Sequence, residues 1–119
     1  MKHCLVVDDS RVIRKVVCQI LEEMKFYAEE AAEGASALEA CRTQMPDVVL
    51  VNLGNNGGLE FVRALRRNPG AKQAIVIGSM TEHDVGHISE ALSAGANEYV
   101  LKPFDRDCLK TKFTEMGLM

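Results

Sequence analysis

The chain has 119 residues, 47% hydrophobic and 26% charged, which is the balance of one soluble globular domain over 1–119 and too short for two of usual size. Fourteen Lys and Arg stand against 17 Asp and Glu, a net charge of -3 that offers no basic surface for nucleic acid. No apolar run approaches the roughly 20 residues that cross a bilayer, and the N-terminus has no signal-peptide pattern, so the expectation is a cytoplasmic protein without a membrane segment.

The first apolar run, Leu5-Val6-Val7, stops at Asp8-Asp9-Ser10, and helical periodicity starts straight after. Polar residues mark where a buried strand surfaces. Two adjacent carboxylates there have two readings. They repel unless a cation sits between them, and hard oxygen ligands suit Mg²⁺. Alternatively they cap the following helix, since Asp is a common helix-start residue. Val12, Ile13, Val16, Val17, Ile20, Leu21 and Met24 then form one predicted apolar stripe of an amphipathic helix.

Residues 26–31 alternate and carry two Glu, which predicts an edge strand. Gly34 breaks the chain, and Ala37, Leu38 and Cys41 mark a second helix that ends before Pro46. Val48-Val49-Leu50-Val51 is a buried strand ending at Asn52, followed by the turn-rich loop 53–58. Leu59, Phe61, Val62 and Leu65 give a third helix, closed by Asn68-Pro69-Gly70, with Arg63, Arg66 and Arg67 expected on a solvated face. The run 74–78 is a further buried strand ending in Ser79-Met80. Thr81 and Asp84 form a capping-box pattern for a helix with Val85, Ile88, Ala91 and Leu92, stopped by Gly95. Residues 98–101 make a short strand that runs into Lys102-Pro103-Phe104, and Asp105 can cap a last helix with Leu109, Phe113 and Met116 on one face.

Strict strand–helix alternation implies a parallel sheet with right-handed crossovers on both faces. The apolar first, third and fourth strands and the more polar second and fifth match a flavodoxin-like α/β fold, (βα)5, with strand order 2-1-3-4-5. Its switch point brings Asp8, Asp9 and Asn52 together, with Ser79 and Lys102 at the same sheet end. Cys4, Cys18, Cys41 and Cys108 contain no Cys-x-x-Cys pair, and they read as small core residues in a reducing compartment rather than a zinc site. His83 and His87 have zinc-compatible i, i+4 spacing, but a surface pair is the expectation. The glycines at 54, 57 and 58 follow no phosphate-loop spacing.

With these residues placed, the chain resembles the receiver domains of two-component response regulators, especially single-domain ones of the chemotaxis type. The resemblance rests on Val6-Val7-Asp8-Asp9-Ser10, on Ala94-Gly95-Ala96 with Tyr99, and on Lys102-Pro103-Phe104. It implies that Asp8 and Asp9 are metal-binding acids, that Lys102 pairs with a phosphoryl group before a cis proline, and that Tyr99 is a switch aromatic. It also implies a histidine kinase, phosphotransfer protein or effector as partner, met through the helix 4–strand 5–helix 5 face, and no enzymatic activity of its own.

Three departures shape the expected function. Asn52 stands at the phospho-acceptor position, where a neutral amide is a poor nucleophile. The following loop is two residues short and lacks the family's Met-Pro, so that Gly54, matched to a carbonyl ligand of the metal, sits in an altered turn. The spacing of 22 residues back from Lys102 puts Met80 at the hydroxyl position, with Ser79 one residue off; a thioether donates no hydrogen bond. The reading is therefore a degenerate receiver that acts as a phosphorylation-independent interaction module, with a weakened Mg²⁺ site at Asp8, Asp9, Asn52 and Gly54. Two alternatives stay open: an ordinary phospho-accepting regulator carrying an engineered Asp-to-Asn change, and a flavodoxin-like small-ligand binder.

Overall fold

The computed structural model describes residues 1–54, 57–81 and 85–119. Five parallel strands, β1 (His3–Val7), β2 (Tyr27–Ala31), β3 (Val48–Asn52), β4 (Ile75–Met80) and β5 (Glu98–Leu101), form one sheet in the order β2-β1-β3-β4-β5. The order follows from composition. β1 and β3 are Val- and Leu-rich and buried on both faces, while β2 and β5 carry Glu29, Glu30 and Glu98 and take the edges. Val7 is in register with Val51, and Asn52 with Ser79, so the residues that end β1, β3 and β4 share one end of the sheet.

Helices α1 (Arg11–Glu23) and α5 (Arg106–Glu115) cover one face, where Leu21, Leu109 and Phe113 pack on Cys4, Val6, Leu50 and Ile77. Helices α2 (Gly34–Thr43), α3 (Gly58–Arg66) and α4 (Val85–Ala94) cover the other, bringing Ala37, Cys41, Phe61, Leu65 and Ala91 onto Leu5, Val7, Val49 and Val76. A fully buried side chain such as Leu21 contributes about 1.5–3 kcal/mol in each layer. Gly95 ends α4 with φ at 122°, a backbone conformation that glycine adopts without a Cβ penalty. Asp105 caps α5 by accepting from the Cys108 amide at 2.9 Å.

Several expectations need correction. Val12 and Val16 are 72% and 52% exposed, and Cys18 takes a place in the buried stripe of α1 instead. Seven apolar residues in thirteen exceed what one helix face can bury against a sheet, so two of them turn outward. On α4, Val85 and Leu92 are likewise exposed and only Ala91 is fully buried. Gly34 is the first residue of α2 rather than a break. Pro69–Ala71 forms a single 3₁₀ turn after α3. Arg66 is not on a solvated face: it donates to the carbonyls of Gly95 and Ala71 and to Asn97 Oδ1, tying α3 to the α4–β5 turn. Its partial burial pulls its pKa down.

Of the cysteines, Cys4, Cys18 and Cys41 are core residues as expected, and burial pushes the Cys18 and Cys41 thiols up to about 11. Cys108 is exposed. Asp84 and His83 lie outside the described residues, and with them the capping box and the histidine pair; His87 is exposed on α4.

Candidate functional site

Each site residue sits where an apolar strand gives way to polar chain. Asp8 follows β1 and is 4% exposed, while Asp9, one residue on, faces solvent. Neither acid caps α1. That role belongs to Ser10, whose hydroxyl accepts from the Ile13 amide at 3.2 Å, while the Ser10 amide donates to Asp8 Oδ1 at 2.9 Å. The carboxylate is thus turned inward, toward the switch point.

Lys102, at the end of β5, reaches across the sheet end, and its Nζ meets Asp8 Oδ2 at 2.7 Å with only 12% of the side chain exposed. The Lys102–Pro103 bond is cis, as the resemblance implied. A buried ion pair of this kind is held together by geometry, because each charge alone would be costly to desolvate.

Asn52 ends β3 between the two acids' partners. Its amide Nδ2 donates to Asp9 Oδ1 at 3.4 Å, and its Oδ1 accepts from the Gly54 amide at 3.1 Å. Asp8, Asp9, Asn52 and Lys102 are therefore brought together, and Gly54 joins through its N–H. The space framed by Val7, Asp8, Asp9, Glu33, Asn52 and Gly58 amounts to about 10 Å³, roughly one water.

Ser79 lies next to Asn52 in the sheet, but the residue is 3% exposed and its hydroxyl donates to the Val51 carbonyl at 3.4 Å. Met80 is buried in the apolar cluster under α3 and α4, against which Tyr99 also packs. Neither side chain brings a hydroxyl to Lys102. Thr81 lines a groove with Lys102, Pro103 and Phe104. Tyr99 is half-buried on β5, with Lys112 Nζ 5.9 Å from its ring centroid.

A Mg²⁺ ion needs several oxygens free to point at one centre. Here Asp8 Oδ1 and Oδ2 each accept a hydrogen bond, from the Ser10 amide and from Lys102, and the Asn52 amide presents N–H to Asp9. Among the described residues no three His, Cys, Asp or Glu side chains are arranged to hold a metal. A cation here competes with Lys102 and the Ser10 amide for the Asp8 oxygens.

Sequence reasoning missed one functional contact. Arg14 donates from Nη1 to the Asp8 carbonyl oxygen at 2.7 Å and from Nε to Glu30 Oε1 at 3.0 Å, while Lys15 reaches Glu30 Oε2 at 2.8 Å. The signal was present: Arg14 shares the i, i+3, i+7 stripe of Val17 and Leu21, a polar residue on the buried face. Those two cations hold the Glu30 carboxyl below its ordinary range, the Lys15 hydrogen bond contributing most.

Residues 4–114 match the family described as response regulator receiver domain. The chain is 32% identical over 112 residues to the chemotaxis protein CheY1 of Helicobacter pylori, covering 91% of this chain and 90% of that protein. It is 31% identical over 114 residues to the CAI-1 autoinducer sensor kinase/phosphatase CqsS of Vibrio cholerae, covering 93% of this chain but only 17% of that much longer protein. The structure of the Vibrio cholerae chemotaxis protein CheY4 superposes with a TM-score of 0.92 over 97% of this chain and 98% of that one, at 29% identity.

Proposed function

The chain belongs to the response regulator receiver domain family, and on that premise we propose that it is a stand-alone two-component signalling module whose partner reads it without an aspartyl phosphate. Phosphoryl transfer in such a pocket needs a carboxylate oxygen to attack phosphorus and a cation to neutralise the charge that develops on the transferred group. Asn52 supplies no anionic oxygen. The observation that carries the reading is that its amide donates to Asp9 while Lys102 is already paired with Asp8. The pocket thus pairs the Asp8 charge internally and gives Asp9 an amide donor. Mg²⁺ binding is correspondingly weak, because an ion would have to displace Lys102 and turn the Asn52 amide around.

A domain held in one arrangement presents its surface constantly, and other inputs must shift it. The partner face proposed is α4–β5–α5, where Val85, Leu92 and Leu101 expose apolar surface near Tyr99. A histidine kinase, phosphotransfer protein or effector is the partner class. No helix among the described residues is long and apolar enough to cross a membrane.

The test is intact-mass measurement after incubation with a small-molecule phosphodonor and Mg²⁺. The expected result is an unchanged mass; a stable gain of one phosphoryl group mapped to this pocket overturns the proposal. Asn52→Asp in the same assay separates the two readings of Asn52. Continued silence blames the short loop and Met80, whereas full labelling places the whole loss on one side chain.

A further inference from the structure

We infer that the cleft between α3 and α4, beside Asn52, is a binding site for a small monocyclic amine, and that such a ligand is an input to this receiver. The floor of the cleft is apolar and drawn from four places in the fold: Leu53 after β3, Leu59 on α3, Met80 at the end of β4 and Ala91 on α4. Met80 and Ala91 are buried, and Leu53 and Leu59 are half-buried. Two departures from the receiver pattern meet here, since Leu53 opens the shortened loop and Met80 stands at the hydroxyl position. The cleft amounts to about 170 Å³, and a cavity of about 150 Å³ with aliphatic walls holds one benzene ring. That size admits a single ring with a short arm and excludes a nucleotide or a flavin.

The polar groups identify the arm. Glu90 brings the one carboxylate among the described lining residues, with His87 a turn before it on α4, and Thr81 adds a hydroxyl. The Glu90 side chain is exposed and enters no hydrogen bond or ion pair among the described residues, so its carboxylate is available to a ligand. An apolar floor beneath one carboxylate selects a hydrophobic cation, by ring burial and by charge pairing together. Occupancy reaches Asn52 through the backbone. The Leu53 amide donates to the Ser79 carbonyl at 2.9 Å, and the Gly54 amide, also at the cleft, donates to Asn52 Oδ1 at 3.1 Å. A ring seated on Leu53 and Gly54 bears on the hydrogen bonds that set the end of β3 and the Asn52 amide, and through that amide on Asp9.

The role of the site as an input rests on the phosphorylation-independent reading, whereas its occupancy does not. Binding is therefore measured with neither phosphodonor nor Mg²⁺, from proton–nitrogen correlation spectra of the full chain titrated with benzylamine at low salt. The Leu53, Gly54, Met80, Thr81 and Ala91 amides and the Asn52 side-chain NH₂ are expected to shift along one saturation curve with a Kd of about 1 mM, the range of a fragment-sized ligand. Benzyl alcohol, the neutral counterpart, is expected to bind about fivefold more weakly, and benzoate more weakly still, because an exposed ion pair contributes little more than that. Glu90→Gln removes the preference for the amine and leaves benzyl alcohol unchanged. Ala91→Leu fills the floor and abolishes both; Leu59→Trp closes the cleft from its half-buried rim should Ala91→Leu fail to fold. No saturable shift up to about 20 mM benzylamine overturns the inference. So do shifts centred elsewhere, binding that persists in the filled variant, or an affinity indifferent to Glu90→Gln. An Asn52 NH₂ signal that stays fixed while the cleft saturates overturns the role as an input.

Discussion

Two of the places where this molecule joins acids to bases across different elements differ in what surrounds them. In the pocket, Asp8 and Lys102 are 4% and 12% exposed and meet at 2.7 Å, with the polar ends of β1, β3 and β5 around them. At the β2 edge, Glu30 is 26% exposed and takes Arg14 and Lys15, the latter 60% exposed. The chemistry is the same and the consequences are not. Breaking a buried pair leaves a charge that water cannot reach, whereas breaking an exposed one returns both groups to solvent. Arg14 links the two regions, since the guanidinium that holds Glu30 also donates to the Asp8 carbonyl.

The largest expected effect is therefore in the pocket. Lys102→Met keeps most of the aliphatic stem but strands the Asp8 carboxylate, and it is expected to destabilise the fold by about 3–5 kcal/mol in urea denaturation. Adding Asp8→Asn to that variant recovers much of the loss, because the stranded charge goes too. A loss under about 1 kcal/mol for Lys102→Met would place the pair in the same class as the edge contacts and erase the contrast.

Asn52→Asp comes next. It replaces an amide donor by a third carboxylate beside Asp9, and is expected to lower Tm by about 5 °C without divalent cations. Mg²⁺ at about 10 mM restores the variant and leaves the unsubstituted chain unchanged. An equal shift in both would show that Asn52 does not govern the site's need for a cation.

At the β2 edge the effects shrink. Glu30→Gln is expected to cost about 1 kcal/mol near pH 7. The Glu30 carboxyl lies lower in the folded protein than in the unfolded chain, so its contribution is fully present above the unfolded value near 4.3 and fades as pH falls through the folded one. Denaturation of wild type and variant from pH 7 to about pH 3 should show the gap closing; a gap independent of pH would make the contact a packing effect. Lys15→Ala is the smallest, within about 0.5 kcal/mol and weaker still at high salt.

The legibility of the chain follows the same division between what is local and what is not. Buried strands announce themselves, because Val and Leu runs serve both faces of a parallel sheet, and Asp8, Asn52 and Lys102 were visible as the first polar residues after such runs. Helix caps are decided by three-dimensional geometry even at one residue's distance: Ser10, not either Asp, closes the first turn of α1. Periodicity overstates the buried stripe of α1, since it counts apolar residues but does not say how wide a face the sheet can cover. Arg66 was misplaced for the opposite reason, its partners Gly95 and Asn97 being 29 and 31 residues away.

The sequence by itself determined the alternation of elements, the strand order, and the identity of the groups that converge at the carboxyl end of the sheet, because these depend on periodicity and on which residues tolerate burial. It also determined that Asn52 brings no carboxylate. Only the tertiary structure decided how those groups share their hydrogen bonds: Lys102 with Asp8, Asn52 with Asp9, Ser79 turned to the Val51 carbonyl, Met80 in the core. Such pairings join residues up to 94 positions apart, and their geometry exists only once five strand ends are packed side by side.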